Sequence, residues 1–198
     1  MKPAADEPAR SGKIGNPVRE RSSDIPPGWE KNPSSWSERA PIIVLALIGF
    51  GIATYLALYQ WRVLGTVWEP FFGSGSRTIL NSKISHLLPI PDAALGAFGY
   101  LLDAVTGAIG GRRRWRTMPW IVIIFGLAVG PLGVVSIMLV IFQPVLLDAW
   151  CTLCLASAVI SVLMIGPAAD EVLASLQHMK RVKRRDGSLW HAFWGTKE

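Results

Sequence analysis

Residues 117–147 read TMPWIVIIFGLAVGPLGVVSIMLVIFQPVLL and contain no charged side chain. A second uncharged run, APIIVLALIGFGIATYLALYQW, covers residues 40–61. A helix needs about 20 predominantly apolar residues to cross the hydrocarbon core of a bilayer, so each run is long enough to span a membrane. The two runs therefore predict an integral membrane protein built from helices.

The composition of the whole chain supports this class. Its 198 residues are 51% hydrophobic and only 17% charged, with a mean hydropathy of +0.35. Soluble globular proteins carry about 25% charged residues. Here the charged residues gather in 1–39 and 180–198, which leaves the middle of the chain almost without them. The composition excludes an ordinary water-soluble enzyme.

The net charge of +6 does not indicate binding to nucleic acid. Basic residues cluster beside apolar segments, in 111–116 and in 180–185, and are not interleaved with aromatic side chains that stack on bases. Such flanks are typical of membrane orientation and of contact with anionic headgroups. We therefore expect membrane lipid, and no nucleic acid, as a partner.

The remaining apolar segments extend the prediction to four membrane spans within residues 40–166. The predicted spans are 41–61, Asp92 to Gly111, Thr117 to Phe142 with a kink at Pro131, and Asp148 to Gly166. Glycine and proline interrupt residues 62–91, which predicts a loop far longer than usual. The fold class is therefore all-α, an integral membrane four-helix bundle.

The segments outside the bundle predict its orientation. Residues 1–39 are polar and are predicted to form a disordered arm, whereas 167–198 are predicted to form a basic helix and tail. Positive charges favour the cytoplasmic ends of membrane helices. They are abundant on the side of both termini and sparse in 62–91. We therefore expect both termini in the cytoplasm of a cell (inner) membrane, with 62–91 as an outer loop.

The two cysteines form the motif Cys151-Thr152-Leu153-Cys154 at the start of the fourth predicted helix. With Asp148 as the expected N-cap, Cys151 falls in the first turn, where unpaired N–H groups and the helix dipole favour a thiolate. Cys154 shares its helix face, so the two sulfurs could join in a disulfide. The spacing leaves two interpretations open, namely a redox pair or two small side chains that fill a helix interface. Two cysteines exclude a four-cysteine zinc site, and we predict no metal.

Three segments carry a wider pattern, namely Ser76 to Ser82 (SRTILNS), Leu88 to Gly96 (LPIPDAALG) with Tyr100, and Trp150 to Leu155 (WCTLCL). Their order is a first helix, a long loop, a serine before the second helix and a C-x-x-C at the outer end of the fourth. Over about residues 41–166 this pattern resembles the vitamin K epoxide reductase family.

The resemblance implies a four-helix membrane bundle in which a C-x-x-C pair passes electrons to a bound quinone, here menaquinone or ubiquinone as substrate. By analogy, Cys154 would face the quinone and Cys151 would exchange with the electron donor. Ser82 matches a loop serine of the family and would support the site by hydrogen bonding. We expect four residues to line the quinone site: Asn81, Phe71, Phe72 and Trp150.

The outer loop departs from the family pattern, which expects cysteines there, one of them where Ser76 stands. An internal dithiol relay is therefore impossible, and the expected donor is a thioredoxin-like or other dithiol protein on the outer side. Residues 68–73 are then a candidate lid. The alternative is a non-catalytic membrane bundle that binds quinone, lipid or a partner protein without turnover.

Three titratable residues near the spans have both a structural and a functional interpretation. Asp103 lies inside the second predicted helix, and we expect it to pair with Arg112 or Arg113, whose long stems can reach back into the interface. Asp92 and His86 flank the entry to that helix, where either could donate a proton to a reduced quinone. We favour the structural interpretation, in which Asp92 caps the helix and His86 faces water.

Overall fold

The computed structural model describes residues 24–82, 85, 89–185 and 187–195. Contacts divide the chain into two units, 1–32 and 33–198. In the first unit, the Trp29 N–H donates to the Pro26 carbonyl at 3.1 Å and closes a turn. The prediction of a disordered arm falls largely outside the described residues.

The described part of the second unit is helical and contains no strand. Its helices are α1 (Trp36–Gln60), α2 (Gly75–Leu80), α3 (Asp92–Ala108), α4 (Arg114–Thr117), α5 (Pro119–Leu147), α6 (Thr152–Arg184) and α7 (Leu189–Trp194). Three of the described helices, α1, α5 and α6, are long and apolar enough to cross a membrane. The second predicted span, α3, has 17 residues, so the count of four spans stays a prediction.

Several helix ends differ from the predicted ones. α1 begins at Trp36 and not at 41, and α5 continues past Phe142 to Leu147 with Pro144 inside it. α6 runs without interruption through Gly166 to Arg184, so the predicted surface helix continues the predicted fourth span. For α5, whose added residues 143–147 are mainly apolar, a continuous helix satisfies its own backbone hydrogen bonds in an apolar environment, which favours extension over a break.

Small residues let the long helices approach closely in the core. A Cβ added at Gly49 of α1 would lie 2.6 Å from the ring of Tyr100 of α3, so this ring packs directly on the backbone of α1. The Tyr100 hydroxyl lies 2.7 Å from the Ser157 carbonyl and 2.6 Å from the Ser161 hydroxyl of α6. Tyr100 therefore ties α1, α3 and α6 together. The buried core around it contains Ile42, Ala46, Ala53, Ala97, Ala104, Phe125, Val129, Ile160, Met164 and Ala168.

Two buried arginines cap the C-terminal end of α3. The Arg39 guanidinium donates to the Gly107 carbonyl at 2.9 Å and to the Gly110 carbonyl at 2.8 Å. Arg114 donates to the Ile109 carbonyl at 2.8 Å, and its Nε lies 2.5 Å from Glu171 Oε1 in a buried ion pair. These donors satisfy carbonyls that a helix end leaves without partners.

The structure contradicts the predicted pairing of Asp103 with Arg112 or Arg113. Asp103 is fully buried, and neither carboxylate oxygen has a hydrogen-bond partner in the described part of the chain. Arg39 and Arg114 donate instead to carbonyls at the end of α3, and Arg114 also forms an ion pair with Glu171.

Candidate redox site

The two cysteines form a disulfide at the beginning of α6, with their Cα atoms 5.2 Å apart. Cys151 is itself the N-cap, and its Sγ accepts the N–H of Cys154 at 3.1 Å. The prediction that Asp148 caps this helix is wrong. Asp148 instead ends α5, in the left-handed conformation with φ of 45°. Residues 149–151 then connect α5 to the start of α6.

The two sulfur atoms have different surroundings. Cys151 is completely buried, and its backbone N–H donates to Oε1 of the buried Gln143 on α5 at 3.0 Å. Cys154 is only partly buried and packs against an apolar cluster of Leu56, Val67 and Leu80. The disulfide therefore joins an enclosed sulfur to one that borders apolar side chains.

Two tyrosines of α1 stand at the edge of this cluster and bond to the 62–91 loop. The Tyr59 hydroxyl accepts the side-chain N–H of Asn81 at 3.3 Å. The Tyr55 hydroxyl accepts the backbone N–H of Trp68 at 3.0 Å. Because both tyrosines also pack against the cluster, α1 and the loop place polar groups beside the apolar side chains next to Cys154.

Glu69, in the 62–91 loop, holds that loop against the start of α6. Its carboxylate accepts the hydroxyls of Ser76 and Thr152, and the Thr152 backbone N–H donates to it at 3.0 Å. The N–H groups of Phe71 and Phe72 also donate to it, each at 3.3 Å. Burial acts to raise the pKa of Glu69, but the hydrogen bonds outweigh that effect and hold the pKa at about 2, below its usual 4.5.

This lowered pKa predicts how the loop contributes to stability at different pH values. A carboxyl whose pKa falls on folding stabilises the folded state above its unfolded pKa, and this contribution is lost as the pH falls through the folded value. We expect Glu69→Gln to lower the thermal unfolding temperature in detergent by a constant amount above pH 4.5. The difference from wild type should shrink between pH 4.5 and about 2. A difference that persists undiminished at pH 2 would contradict this assignment.

The structure brings some of the predicted quinone-binding aromatics together at the disulfide. The ring centroids of Phe72 and Trp150 are 6.3 Å apart, and Trp150 directly precedes Cys151 in the chain. Phe71 points outward and is 76% exposed, with its ring 6.5 Å from that of Phe72. Phe72 and Trp150 therefore contact each other beside the start of α6, whereas Phe71 is the most exposed of the three.

Three other predicted residues lie around the turn between α2 and α3. The Ser82 hydroxyl accepts the N–H of Ser85 at 3.3 Å and so holds this turn, next to Asn81. Asp92 is the first residue of α3 and not its cap, and its carboxylate accepts Gln60 Nε2 at 2.6 Å and the Ser85 hydroxyl at 3.2 Å. His86 lies outside the described residues.

Gly75 allows α2 to approach the residue before the disulfide. A Cβ at this position would lie 2.0 Å from the Trp150 carbonyl oxygen. We therefore expect Gly75→Ala to push α2 away and to lower the free energy of unfolding by about 1–3 kcal/mol, as for other overpacked sites. Gly65→Ala, in the same loop but with open space around it, should stay within about 0.5 kcal/mol of wild type in thermal unfolding. Equal losses for both variants would disprove the close contact.

A family model described as the vitamin K epoxide reductase family matches residues 40–168, which is more than half of the chain. The chain belongs to the vitamin K epoxide reductase family. Membership identifies it at the family level as a membrane oxidoreductase that links thiol–disulfide chemistry to quinones, in a family that generally works with thioredoxin-like partners. No curated protein and no solved structure matches this chain.

The sequence analysis of this vitamin K epoxide reductase family member did not single out two residues that bond to the C-x-x-C motif, although Glu69 lies within the candidate lid 68–73. Glu69 is the only acidic residue between the first predicted helix and Pro91, and that isolation was the available signal. Gln143 is a polar residue within a long apolar run, five positions before Asp148. Both were recognisable as unusual, but only the packing shows that they bond to the residues of the C-x-x-C motif.

Proposed function

We propose that this protein is a membrane thiol oxidoreductase that reduces a quinone with electrons passed through Cys151 and Cys154. The observation that carries the proposal is the disulfide at the start of α6, with Cys154 next to an apolar cluster and Cys151 at the helix N-cap. A helix N-terminus stabilises a thiolate, and a neighbouring thiol allows its return to the disulfide.

The reaction consists of two balanced exchanges. An external dithiol attacks the Cys151–Cys154 disulfide, becomes a disulfide itself and leaves two reduced cysteines. These cysteines then transfer two electrons and two protons to the quinone, which becomes the quinol while the Cys151–Cys154 bond forms again. In this scheme Cys154 faces the quinone and Cys151 exchanges with the donor.

The neighbouring residues suit a site for a flat, largely apolar substrate. Leu56, Val67 and Leu80 supply apolar contact beside Cys154, and the Asn81–Tyr59 bond places polar hydrogens at the rim, where a quinone oxygen needs a donor. Phe72 and Trp150 close the side next to Cys151. We assign Ser82 to holding the turn that presents Asn81, and Phe71 to the exposed edge of the lid.

The proposed architecture is a four-helix bundle in a cell (inner) membrane, with α3 as the fourth membrane helix and both termini in the cytoplasm. The proposed donor is a thioredoxin-like or other dithiol protein on the outer side. Ser76 supports a separate donor, because it occupies the position where the family pattern has a loop cysteine and its hydroxyl bonds to Glu69. Either menaquinone or ubiquinone is compatible with this site.

The test is trapping of the cysteine thiols in native membranes with a mass-tagged alkylating reagent. We expect both cysteines to be protected at rest, labelled after treatment with a dithiol, and protected again once quinone is added. Thiols that stay open to alkylation whether or not quinone is present would refute the proposal.

The second candidate function is a bundle that binds quinone, lipid or a partner protein without turnover. Two observations favour it, namely the complete burial of Cys151 and the lack of any cysteine in the 62–91 loop. It predicts that tagged quinone or lipid still binds after both cysteines are replaced by serine. Under this alternative, the trapping pattern does not respond to quinone.

A further inference from the structure

Two negative groups compete for the same helix end when the disulfide is reduced. The first-turn N–H of Cys154 donates to Cys151 Sγ, and the N–H of Thr152 donates to Glu69 Oε2. The Thr152 nitrogen is bonded to the carbonyl carbon of Cys151, so the carboxylate lies close to the sulfur-bearing residue. A Cys151 thiolate would therefore form beside an existing anion.

We propose that Glu69 is a positioning residue that raises the pKa of Cys151 and makes the reduced cysteine pair a stronger reductant; this rests on the proposed function. A helix N-terminus alone favours the thiolate, whereas a nearby like charge disfavours it. A less stable reduced form shifts the equilibrium towards the disulfide, so electrons leave the pair more readily.

The hydrogen bonds around Glu69 hold its charge in place. Ser76 and Thr152 each donate a hydroxyl, and the loop N–H groups of Phe71 and Phe72 point at the same carboxylate. The carboxylate is therefore held at one side of the α6 N-terminus. A stronger reductant agrees with electron flow from the cysteines to the quinone, because the reduced pair has to give up its electrons.

The test measures the acidity of Cys151 in the reduced full-length protein in detergent. The rate of alkylation of Cys151 is followed against pH by mass spectrometry, for wild type and Glu69→Gln. We expect the midpoint to fall by about one pH unit in the variant, since a neighbouring charge shifts a pKa by this order. In glutathione buffer at a pH above both midpoints, where Cys151 is ionised in both proteins, the ratio of dithiol to disulfide should rise about tenfold at the same glutathione ratio.

Matched variants separate charge from packing. Glu69→Asp keeps the charge with a shorter side chain and should keep the wild-type midpoint. Asp148→Asn removes a carboxylate three residues before Cys151 but not the contacts of Glu69, and it should leave the midpoint within about 0.3 units. A general change in access alters the plateau rate, whereas a change in acidity moves the midpoint. A shift of Glu69→Asp equal to that of Glu69→Gln would overturn the proposal.

The outcome distinguishes this inference from the proposed function itself. If the cysteines cycle with quinone but Glu69→Gln leaves the midpoint unchanged, Glu69 is not a positioning residue and the function stands. If the cysteines do not respond to quinone in wild type, the proposed function fails whatever the midpoint. Loss of the thermal transition in Glu69→Gln would identify an unfolded variant. Glu69→Ala, which also removes the charge, then takes its place: an unchanged midpoint and dithiol ratio in that variant would overturn the proposal.

Discussion

Replacement of Cys154 by serine is expected to lower quinone-dependent oxidation of an external dithiol by at least about a thousand-fold. A serine hydroxyl is not ionised near neutral pH and cannot form the disulfide that closes the reaction. Cys151→Ser should be equally inactive, because the remaining cysteine then has no partner within the chain. The purified variant is reconstituted into lipid vesicles, and the initial rate of quinol formation is measured with a soluble dithiol as donor.

A matched control shows whether the loss belongs to the sulfur atoms. Ala156→Ser adds the same hydroxyl to the same helix, two residues after Cys154, and leaves the disulfide intact. We expect its rate to stay within about twofold of wild type. A Cys154→Ser variant that turns over at more than a tenth of the wild-type rate would eliminate the cysteine pair as the redox centre.

The largest loss of stability is expected from Arg114→Ala at the opposite end of the helices. Removal of one partner of a buried ion pair costs about 3–5 kcal/mol, because the other charge stays buried without compensation. Arg114 and Glu171 are both fully enclosed, and the Ser34 hydroxyl donates to Glu171 at 2.5 Å. Arg114→Ala also removes donors from the carbonyls at the end of α3. Thermal unfolding in detergent measures the loss.

A double-mutant cycle and a surface control complete this prediction. Arg184→Ala removes an exposed arginine at the end of α6 and should change the free energy of unfolding by less than about 0.5 kcal/mol. The cycle consists of Arg114→Met, Glu171→Leu and the double variant. The double variant leaves neither charge of the pair unpaired, so its loss should be smaller than the sum of the losses of these two single variants. Strict additivity of the single losses would show that the two side chains do not interact in the folded protein.

Much of the candidate site can be predicted from local sequence signals. The C-x-x-C spacing places two sulfur atoms on one helix face, and proline and glycine in 62–91 end the first helix and require a loop. The order of these segments also led to the correct family. The first turn of α6 could not be predicted from these signals, because aspartate is a preferred N-cap residue and Asp148 was expected there, whereas Cys151 occupies the position. The turn geometry that decides between them depends on where α5 ends.

Contacts between distant residues could not be predicted in the same way. Thr152 and Glu69 are 83 positions apart, and Ser34 and Glu171 are 137 positions apart. Long side chains such as those of Arg39 and Arg114 reach whichever carbonyls are unsatisfied, and this depends on how the helices pack. For the same reason the predicted bond of Asp103 to Arg112 or Arg113 was wrong.

The sequence by itself determined a helical membrane protein with a C-x-x-C cysteine pair at the start of a helix. Apolar run length and residue spacing are properties of a single segment, and they act before any segment meets another. Only the tertiary structure decided that Cys151 is enclosed, that Glu69 bonds the loop to Thr152 and that arginines cap α3. These features depend on distances between segments far apart in the chain, which only packing brings together.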